Sequence, residues 1–502
     1  TPFKIKASEY DENRHFFISQ YFRDNYEKAL STLPIITSDV TITKIEVWVT
    51  NIGAAVTDNR NIVAFTDLGE SNPSNPHIFA KTNVPYPDDN INTLKDEIFR
   101  GDTSRLRDIS TVFSYLSSLS NLDLVEGVDF DKIESARKLS SNEYTFNRSL
   151  GFISLNTALS SSQVLAVAFQ YTVNGEVYQV GEFSDGGVNS PNNLVVKLLR
   201  ATSVNTQSPL WDLMMKNVYS LNAYQVSEND FVLNVLYSGN ENGVATGYFN
   251  EGPENIKGVP LLHLLNLDTL DSQRNPIEGG DGLFDFISGA ATNGGTIQPN
   301  NGRVFFPVLE PFGAHLHKIL PSDMAKKYAF DSLYTNTKTV AKQMSEKDKF
   351  LLSGYYSSSG GSQISLNAYN VAQGSVVVKA GGMTLVENVD YTVDYTFGTV
   401  TILNEGILNS GTTVSVSVES ESAGGYENTQ HLFGLRADYL ASQYLNLGAT
   451  MLYLHEVPIS TKVSYGDEAI SNMIWGMDVQ YQKEAPFITR AIDFLPLIST
   501  KA

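Results

Sequence analysis

The chain has 502 residues, with 35 lysines and arginines against 55 aspartates and glutamates, so its formal charge is −20. This acidic balance argues against nucleic-acid binding, which needs concentrated positive charge to contact phosphates. The absence of cysteine excludes disulfides, thiolate zinc sites, iron–sulfur clusters and cysteine nucleophiles.

The length and the N-terminus predict how the chain is organised. At roughly 100–200 residues per domain, the chain is long enough for about three domains. No run of about 18 apolar residues occurs, so a transmembrane helix is not expected. The chain begins with Thr1 and shows no basic and apolar leader, so we expect a mature or excised piece. Charged residues make up only 18%, which is typical of β-rich surface or envelope proteins.

The first half of the chain combines helix and strand patterns. Amphipathic spacing predicts a helix over 12–33, and alternation predicts strands over 45–49 and 61–67, with Trp48 on the outer phase. Further elements are predicted as helices from Asp102 or Thr103 to about 116, over 211–219 and from Ser322 to about Tyr334, and as a strand over 231–237.

A β-hairpin is predicted between residues 164 and 182. Residues 164–173 alternate in two side-chain phases, Asn174 and Gly175 follow, and residues 176–182 return. The Asn-Gly pair supplies the two positive-φ positions of a type I′ turn, whose twist suits a two-residue hairpin.

Short strands at regular spacing follow residue 350. The segments 375–380, 391–395, 398–404 and 412–420 are rich in β-branched residues and are separated by glycine turns. This pattern is typical of a small antiparallel β-sandwich.

The segment from 431 to 482 contains three longer strands. Apolar side chains alternate with small or polar ones on either side of a tight turn at 441–443 and a long polar loop at 455–471. A transmembrane strand needs about 9–11 residues with one apolar and one polar phase. Sandwich strands with one solvated face show the same alternation, so the pattern alone leaves both interpretations open. Three strands cannot close a barrel, so the membrane interpretation requires further strands outside this chain.

Two histidines lie close enough in sequence to suggest a metal site. On a strand, the i, i+2 spacing of His315 and His317 puts both rings on one face. The nearest following carboxylate is Asp323, so a surface pair is the favoured interpretation. No GxSxG, HExxH, P-loop or GxGxxG motif occurs in a strand–turn–helix setting, so no catalytic, cofactor-binding or metal residue is assigned.

The best candidate for an ion site is the stretch 267–286. Its hard oxygen ligands on a turn-rich loop suit calcium, and they are Asp268, Asp271, Asn275, Asp281 and Asp285. Their spacing does not match the EF-hand loop. The same stretch of sequence is also explained by acidic turn residues that accept hydrogen bonds from the loop backbone. Both interpretations stay open.

Long blocks spread from residue 15 to the end resemble one family. They include HFFISQYFRDNYEKALSTLPIITSDVTITKIEVWVTN (15–51), VLAVAFQYTVNGEVYQVGEFS (164–184), LWDLMMKNVYSL (210–221), GRVFFPVLEPFG (302–313), the sandwich segment 365–411 and ISNMIWGMDVQYQKEAPFITRAIDFLPLISTKA (470–502). The chain resembles SprA/Sov, the giant outer-membrane translocon of the type IX secretion system of Bacteroidota, which is linked to gliding motility. The DYTVDY piece by itself recurs in other bacterial surface proteins and is less specific.

This resemblance implies a very large single-chain β-barrel through which folded proteins with a C-terminal signal reach the cell surface. It implies a smaller PorV-type barrel, a periplasmic plug and outer-membrane lipid as partners, and no nucleic acid. The location implied is the outer membrane or cell surface. No catalytic residues or cofactors are known for the family, so none are assigned, and the chain is expected to be an internal segment of a longer protein.

The predicted fold is mainly β with interspersed helices (α+β). It consists of a mixed α/β region of one or two subdomains over 1–345, a small antiparallel β-sandwich over 346–421, and amphipathic outer-membrane β-barrel strands with a terminal helical segment over 422–502. If 441–443 is a periplasmic turn, residues 1–420 lie on the extracellular side as a cap or vestibule.

The leading functional interpretation is a segment of a protein-translocation channel that acts by shape, without catalysis. The alternative is a soluble surface-binding or adhesin module built on β-sandwich domains. An enzyme is the least supported class, because nothing singles out a catalytic pair among the 55 acidic residues.

Overall fold

The computed structural model describes most of the chain. The described residues are 1–52, 59–81, 85–141, 143–223, 226–240, 243–357, 363–366, 371–380, 382–403, 414–418, 429–457 and 470–493. The chain divides into two compact units, Thr1–Gly425 and Tyr426–Ala502. The domain boundaries predicted at 345/346 and 421/422 stay predictions.

The elements of the structure confirm the mainly β, mixed α+β class. The strands up to residue 200 are β1 Pro2–Lys6, β2 His15–Phe17, β3 Val40–Val49, β4 Asn59–Phe65, β5 Phe130–Lys138, β6 Tyr144–Asn147, β7 Phe152–Leu155, β8 Leu165–Val173, β9 Glu176–Val180 and β10 Leu194–Arg200. Those that follow are β11 Val218–Ser220, β12 Val232–Tyr237, β13 Ile297–Gln298, β14 Arg303–Phe305, β15 Phe350–Tyr355, β16 Gln363–Ser365, β17 Val376–Ala380, β18 Met383–Thr384, β19 Tyr391–Asp394, β20 Thr399–Ile402, β21 Val414–Val418, β22 Thr429–Ser442, β23 Leu445–Val457 and β24 Ser471–Tyr481.

The helices in the described part of the chain are short, and all except the last lie between strands. They are α1 Gln20–Ala29, α2 Leu94–Arg100, α3 Thr103–Arg107, α4 Val112–Ser118, α5 Pro209–Leu213, α6 Leu261–Leu264, α7 Ala314–Ile319, α8 Ser322–Tyr328, α9 Ser332–Thr335, α10 Lys338–Gln343 and α11 Pro486–Asp493. Within the described residues, 3-10 turns cover Ala7–Glu9 and Pro299–Asn301.

The core of the first unit contains a small closed barrel of five strands. Its strands follow the order β10-β4-β5-β3-β8, and β10 also pairs with β8 to close the ring. The β10–β4 pairing is parallel, whereas the others are antiparallel. All seven residues of β10 are buried, because one face points into the barrel and the other is covered by neighbouring elements.

The predicted hairpin is confirmed as β8 and β9. The two strands pair from Phe169↔Val180 to Val173↔Glu176. Asn174 and Gly175 have φ values of 49° and 88°, as a type I′ turn requires.

Three local predictions in the first unit are wrong in part. The helix predicted over 12–33 is limited to α1, because His15–Phe17 forms the buried strand β2 beside β7. Trp48, predicted on an outer phase, is buried, since both faces of β3 are covered along its last residues. The helix predicted over 211–219 ends at Leu213, and its second half forms the strand β11 against β14.

The two other predicted helices are interrupted. Asp102 accepts a hydrogen bond from the Ser104 N–H and begins α3 as predicted, but extended backbone at Asp108 separates α3 from α4. The helix predicted from Ser322 begins there and ends at Tyr328, before the separate turn α9.

Gly151 lies where a side chain would meet both a strained backbone and a buried ring. Its φ is +65°, and an added Cβ would lie 2.0 Å from the Phe22 ring. We expect Gly151→Ala to lower the free energy of unfolding by about 2–5 kcal/mol, from the left-handed backbone plus the overpacked core. Gly175→Ala is the matched control, because Gly175 has φ +88° with nothing within 4 Å, and should cost only about 1–2 kcal/mol. Equal losses in urea denaturation would contradict the packing argument.

The predicted β-sandwich is confirmed by two three-stranded sheets, β16-β20-β19 and β18-β17-β21. They enclose a hydrophobic core of their own, which is Val371, Val376, Val378, Ala380, Leu385, Tyr391, Val400 and Ile402. The predicted strand ends at 404, 412–413 and 419–420 lie outside the described residues.

The second unit contains an antiparallel sheet in the order β22-β23-β24, called the terminal sheet below. The turn between its first two strands is Gln443-Tyr444, slightly later than the predicted 441–443. Most of the predicted polar loop, 458–469, lies outside the described residues. The helix α11 agrees with the predicted terminal helical segment, of which 494–502 lie outside them.

Candidate functional site

The carboxylates of the stretch 267–286 are occupied by the loop backbone. Asp268 accepts the N–H groups of Asp281 and Gly282 at 2.8 and 3.0 Å. Asp285 accepts the N–H groups of Thr269 and Leu270 at 2.7 and 3.2 Å, and Asp271 likewise binds the turn that follows it. Burial raises the pKa of both Asp268 and Asp285. The structure therefore supports the interpretation that these residues hold the loop.

His315 and His317 form neither the shared face of the metal interpretation nor the favoured surface pair, because His315 is buried and only His317 is exposed. His315 and His317 lie on α7 and not on a strand, so two residues along the chain they point in different directions. His315 Nε2 lies 2.8 Å from the Leu264 carbonyl, and His317 Nε2 lies 2.9 Å from Asp331. Among the described residues, no group of three or more His, Asp or Glu side chains could hold a metal ion.

One buried cluster has the composition of a serine-hydrolase triad. His15 Nδ1 lies 2.8 Å from Ser154 Oγ, and His15 Nε2 lies 3.1 Å from Asp11 Oδ2. Burial lowers the pKa of His15 despite its contact with Asp11. Burial opposes ionisation of Asp11, but the bond to His15 and the charge of Arg303, 2.6 Å away, hold the pKa of Asp11 well below its usual range.

This cluster lies at a cross-strand pair of β2 and β7, where His15 is opposite Ser154. Both residues are buried, with exposed fractions of 1% and 6%. The His15–Ser154 contact therefore joins two neighbouring strands inside the core. The cluster was missed from the sequence because 139 residues separate its histidine and its serine.

The most unusual surface of the molecule is the terminal sheet. One face, called the apolar face, consists of Phe433, Leu435, Ala437 and Tyr439 on β22, Leu447, Ala449, Met451 and Tyr453 on β23, and Met473, Trp475, Met477, Val479 and Tyr481 on β24. The residues stand in register across the strands, so Leu435, Met451 and Trp475 form one row. Side chains in such rows contact each other directly.

The apolar face is exposed to a degree that is unusual for a soluble protein. Leu435 and Trp475 are each 67% exposed, and Met477 is 77% exposed. Contiguous exposed apolar surface of this kind marks a contact with another protein or with a membrane.

The opposite side of the sheet carries the charges. The polar face consists of Gly434, Arg436 and Asp438 on β22, Asn446, Gly448 and Thr450 on β23, and Gly476, Asp478 and Gln480 on β24. Toward the end far from the Gln443-Tyr444 turn it gives way to leucine and isoleucine, at Leu432, Leu452, Leu454 and Ile474. The charged residues of the three strands, Arg436, Asp438, Glu456 and Asp478, all share this phase of the alternation.

Arg436 joins the charges across the polar face. Its guanidinium lies 2.8 Å from Asp438 and 3.2 Å from Asp478, and donates to Thr450 Oγ1 at 2.9 Å. Gly448 leaves room for this arrangement, because a Cβ there would lie 2.4 Å from the Asp478 carboxylate. This face is therefore a hydrogen-bonded polar surface on the back of an apolar one.

Comparison with protein-family models identifies the N-terminal part of the chain. Residues 1–176 match the SprA_N family, described as "Motility related/secretion protein". This match supports SprA-family membership through the N-terminal region. No curated protein matches the chain.

The SprA_N match and the fold can be compared strand by strand. The matched residues contain four strands of the closed barrel, β3, β4, β5 and β8, and end at the first residue of β9. The fifth barrel strand, β10, comes from residues beyond the match.

The family description concerns motility and secretion and names no enzymatic activity. Within the described residues, no helix is both long and apolar enough to span a bilayer.

Proposed function

We propose that this SprA-family chain is a segment of the outer-membrane protein-translocation channel of the type IX secretion system. Its role in this proposal is structural and concerns transport, without catalysis. The observation that carries the proposal is the terminal sheet, with large apolar side chains exposed on one face and every charge of its strands on the other.

The dimensions and the chemistry of the terminal sheet support a membrane-spanning role. Strands of about 9–11 residues, tilted near 45°, cross the hydrocarbon core, and β22, β23 and β24 have 14, 13 and 11 residues. In a channel, the apolar face contacts lipid and the polar face lines water. Tyr439, Tyr453 and Tyr481 lie toward the strand ends, where aromatic side chains meet the membrane interface.

The edges of the sheet require neighbours. In the described part of the chain, β22 and β24 each pair with one strand only, β23. Unpaired main-chain groups are strongly unfavourable in lipid, where no water can bind them. We therefore propose that further strands, from the rest of a longer protein, continue the sheet on both sides.

The partners in this proposal follow from the family resemblance. They are secreted proteins with C-terminal signals as passengers, a PorV-type barrel, a periplasmic plug and the outer-membrane lipid. The net charge of −20 supports the proposed passage, because it lowers non-specific adhesion of acidic passengers to the channel.

The absence of cysteine allows a direct test in cells. Met477→Cys and Gly476→Cys place single thiols at the same depth on opposite faces of β24. We expect a membrane-dissolved maleimide to label the thiol at 477, and a charged, membrane-impermeant maleimide to label the thiol at 476 in envelope fractions.

A thiol at Val177 serves as the control, since that side chain is 59% exposed on the β9 strand of the first unit and should react with the charged reagent. Equal labelling of 476 and 477 by the charged reagent would place the sheet in water. That result would favour the surface-binding module over the channel.

A further inference from the structure

A cavity of about 490 Å³ opens in the first unit beside the strand β12. This volume lies in the range of small-ligand and peptide side-chain pockets. Three segments line it, residues 231–234 at the start of β12, residues 270–274 and residues 281–287. The cavity belongs to neither the terminal sheet nor the buried histidine cluster.

One wall is the start of β12. Val232 is half-buried and Asn234 is exposed there, whereas Leu233 between them is buried. Among the described strands, β12 pairs only with β15, and on its other side Tyr237 exchanges hydrogen bonds of 2.8 and 3.0 Å with Thr246. This wall therefore offers the side chains of Val232 and Asn234 to a ligand.

A second wall is aromatic. The Phe231 ring packs against those of Phe284 and Phe286, with centroids 5.4 and 5.3 Å apart. Leu283, at the rim, is 60% exposed. These side chains form an apolar surface that would accept an aliphatic or aromatic group.

The lining is also acidic. It contains the carboxylates of Glu228, Asp271, Asp281 and Asp285 and the single guanidinium of Arg274. Arg274 lies 3.1 Å from Glu228, and both side chains are more than half exposed. The excess of negative charge favours a cationic ligand.

We propose that this cavity binds a peptide segment that carries an apolar side chain next to a lysine or arginine. The apolar side chain contacts the three phenylalanines, and the cation lies among the carboxylates. The inference does not depend on the membrane role proposed above, because its residues all belong to the first unit.

The test uses the full chain and a fluorescein-labelled peptide, Gly-Phe-Lys-Val-Lys-Gly, measured by fluorescence anisotropy. We expect saturable binding, and at least tenfold weaker binding of the same peptide with both lysines replaced by glutamate. Glu228→Gln with Asp281→Asn should weaken binding of the lysine peptide about tenfold. The asparagine keeps an oxygen to accept the Leu283 N–H, now 2.9 Å from Asp281.

The matched control is Glu254→Gln with Asp323→Asn, which removes the same charge from exposed residues that do not line the cavity. It should leave binding unchanged. Leu283→Lys, at the exposed rim, is a second variant that the fold should tolerate, and it should also weaken binding. Absent binding, equal binding of the two peptides, or equal losses in the cavity and control variants would overturn the proposal.

Discussion

Met477→Arg is expected to disrupt membrane association of the terminal sheet. Met477 lies near the middle of β24 on the apolar face and is 77% exposed. An arginine on the lipid face near the bilayer midplane costs about 2–4 kcal/mol. At the lower limit, this is a loss of roughly thirtyfold in the equilibrium between membrane and water. The fraction of the chain that floats with phosphatidylethanolamine–phosphatidylglycerol vesicles measures this loss of membrane association.

Gly476→Arg provides the matched control for this experiment. Gly476 is the preceding residue on the polar face, and a Cβ there would contact nothing within 4 Å. Asp478, two residues along on the same face, offers a countercharge. Flotation of this variant should equal that of the parent chain. If the two arginines reduce flotation equally, the two faces do not differ in environment, and the channel proposal fails.

The second large effect is expected at a buried ion pair of the first unit. Lys197 on β10 and Glu70 after β4 are 1% and 4% exposed at their side chains, and their charged atoms lie 2.9 Å apart. Lys197 also donates to the Thr66 carbonyl. We expect Lys197→Met to lower the free energy of unfolding by about 3–5 kcal/mol, because it leaves a buried carboxylate without its countercharge. Urea denaturation at pH 8 measures the loss.

Two controls test the cause of this loss. Adding Glu70→Gln to Lys197→Met removes the unpaired charge but retains an acceptor for the Gln20 N–H, and should restore much of the stability. Burial raises the pKa of Glu70 above its ordinary 4.5, so the folded state takes up its proton more readily than the unfolded state. Stability from this group is present at low pH and is lost as pH rises through the raised pKa. The Lys197→Met variant should therefore be less impaired at pH 5 than at pH 8, and a constant loss would contradict the argument.

The hairpin and the terminal sheet show which features can be predicted from the sequence. In both, the signal is local. Asn174 and Gly175 determine a turn within four residues, and the alternation of Trp475, Gly476 and Met477 assigns each side chain to a face without reference to another strand. Local patterns also predicted helices over 12–33 and 211–219, and both predictions were wrong in part. His15–Phe17 and Val218–Ser220 became strands because β7 and β14 bury them, and tertiary pairing outweighs a weak local preference.

The candidate ion site shows a feature that a local sequence pattern could not decide. The residues of 267–286 were identified correctly as acidic turn residues, but the choice between calcium and backbone contacts depended on where each carboxylate points. The shared face considered for His315 and His317 was wrong for a related reason. Side chains at i and i+2 share a face on a strand but point in different directions on a helix.

The class of the chain, its sandwich strands, its hairpin and the two faces of its terminal sheet could all be predicted from the sequence. These are properties of composition and of a two-residue period, which need no distant contact. Other features became visible only in three dimensions, and they are the closure of the five-stranded barrel through β10, the pairing of His15 with Ser154 and of Lys197 with Glu70, and the cavity beside β12. Each joins residues that are far apart in the chain, and the free energy that selects such contacts comes from burial and charge in a shared core and not from any local pattern.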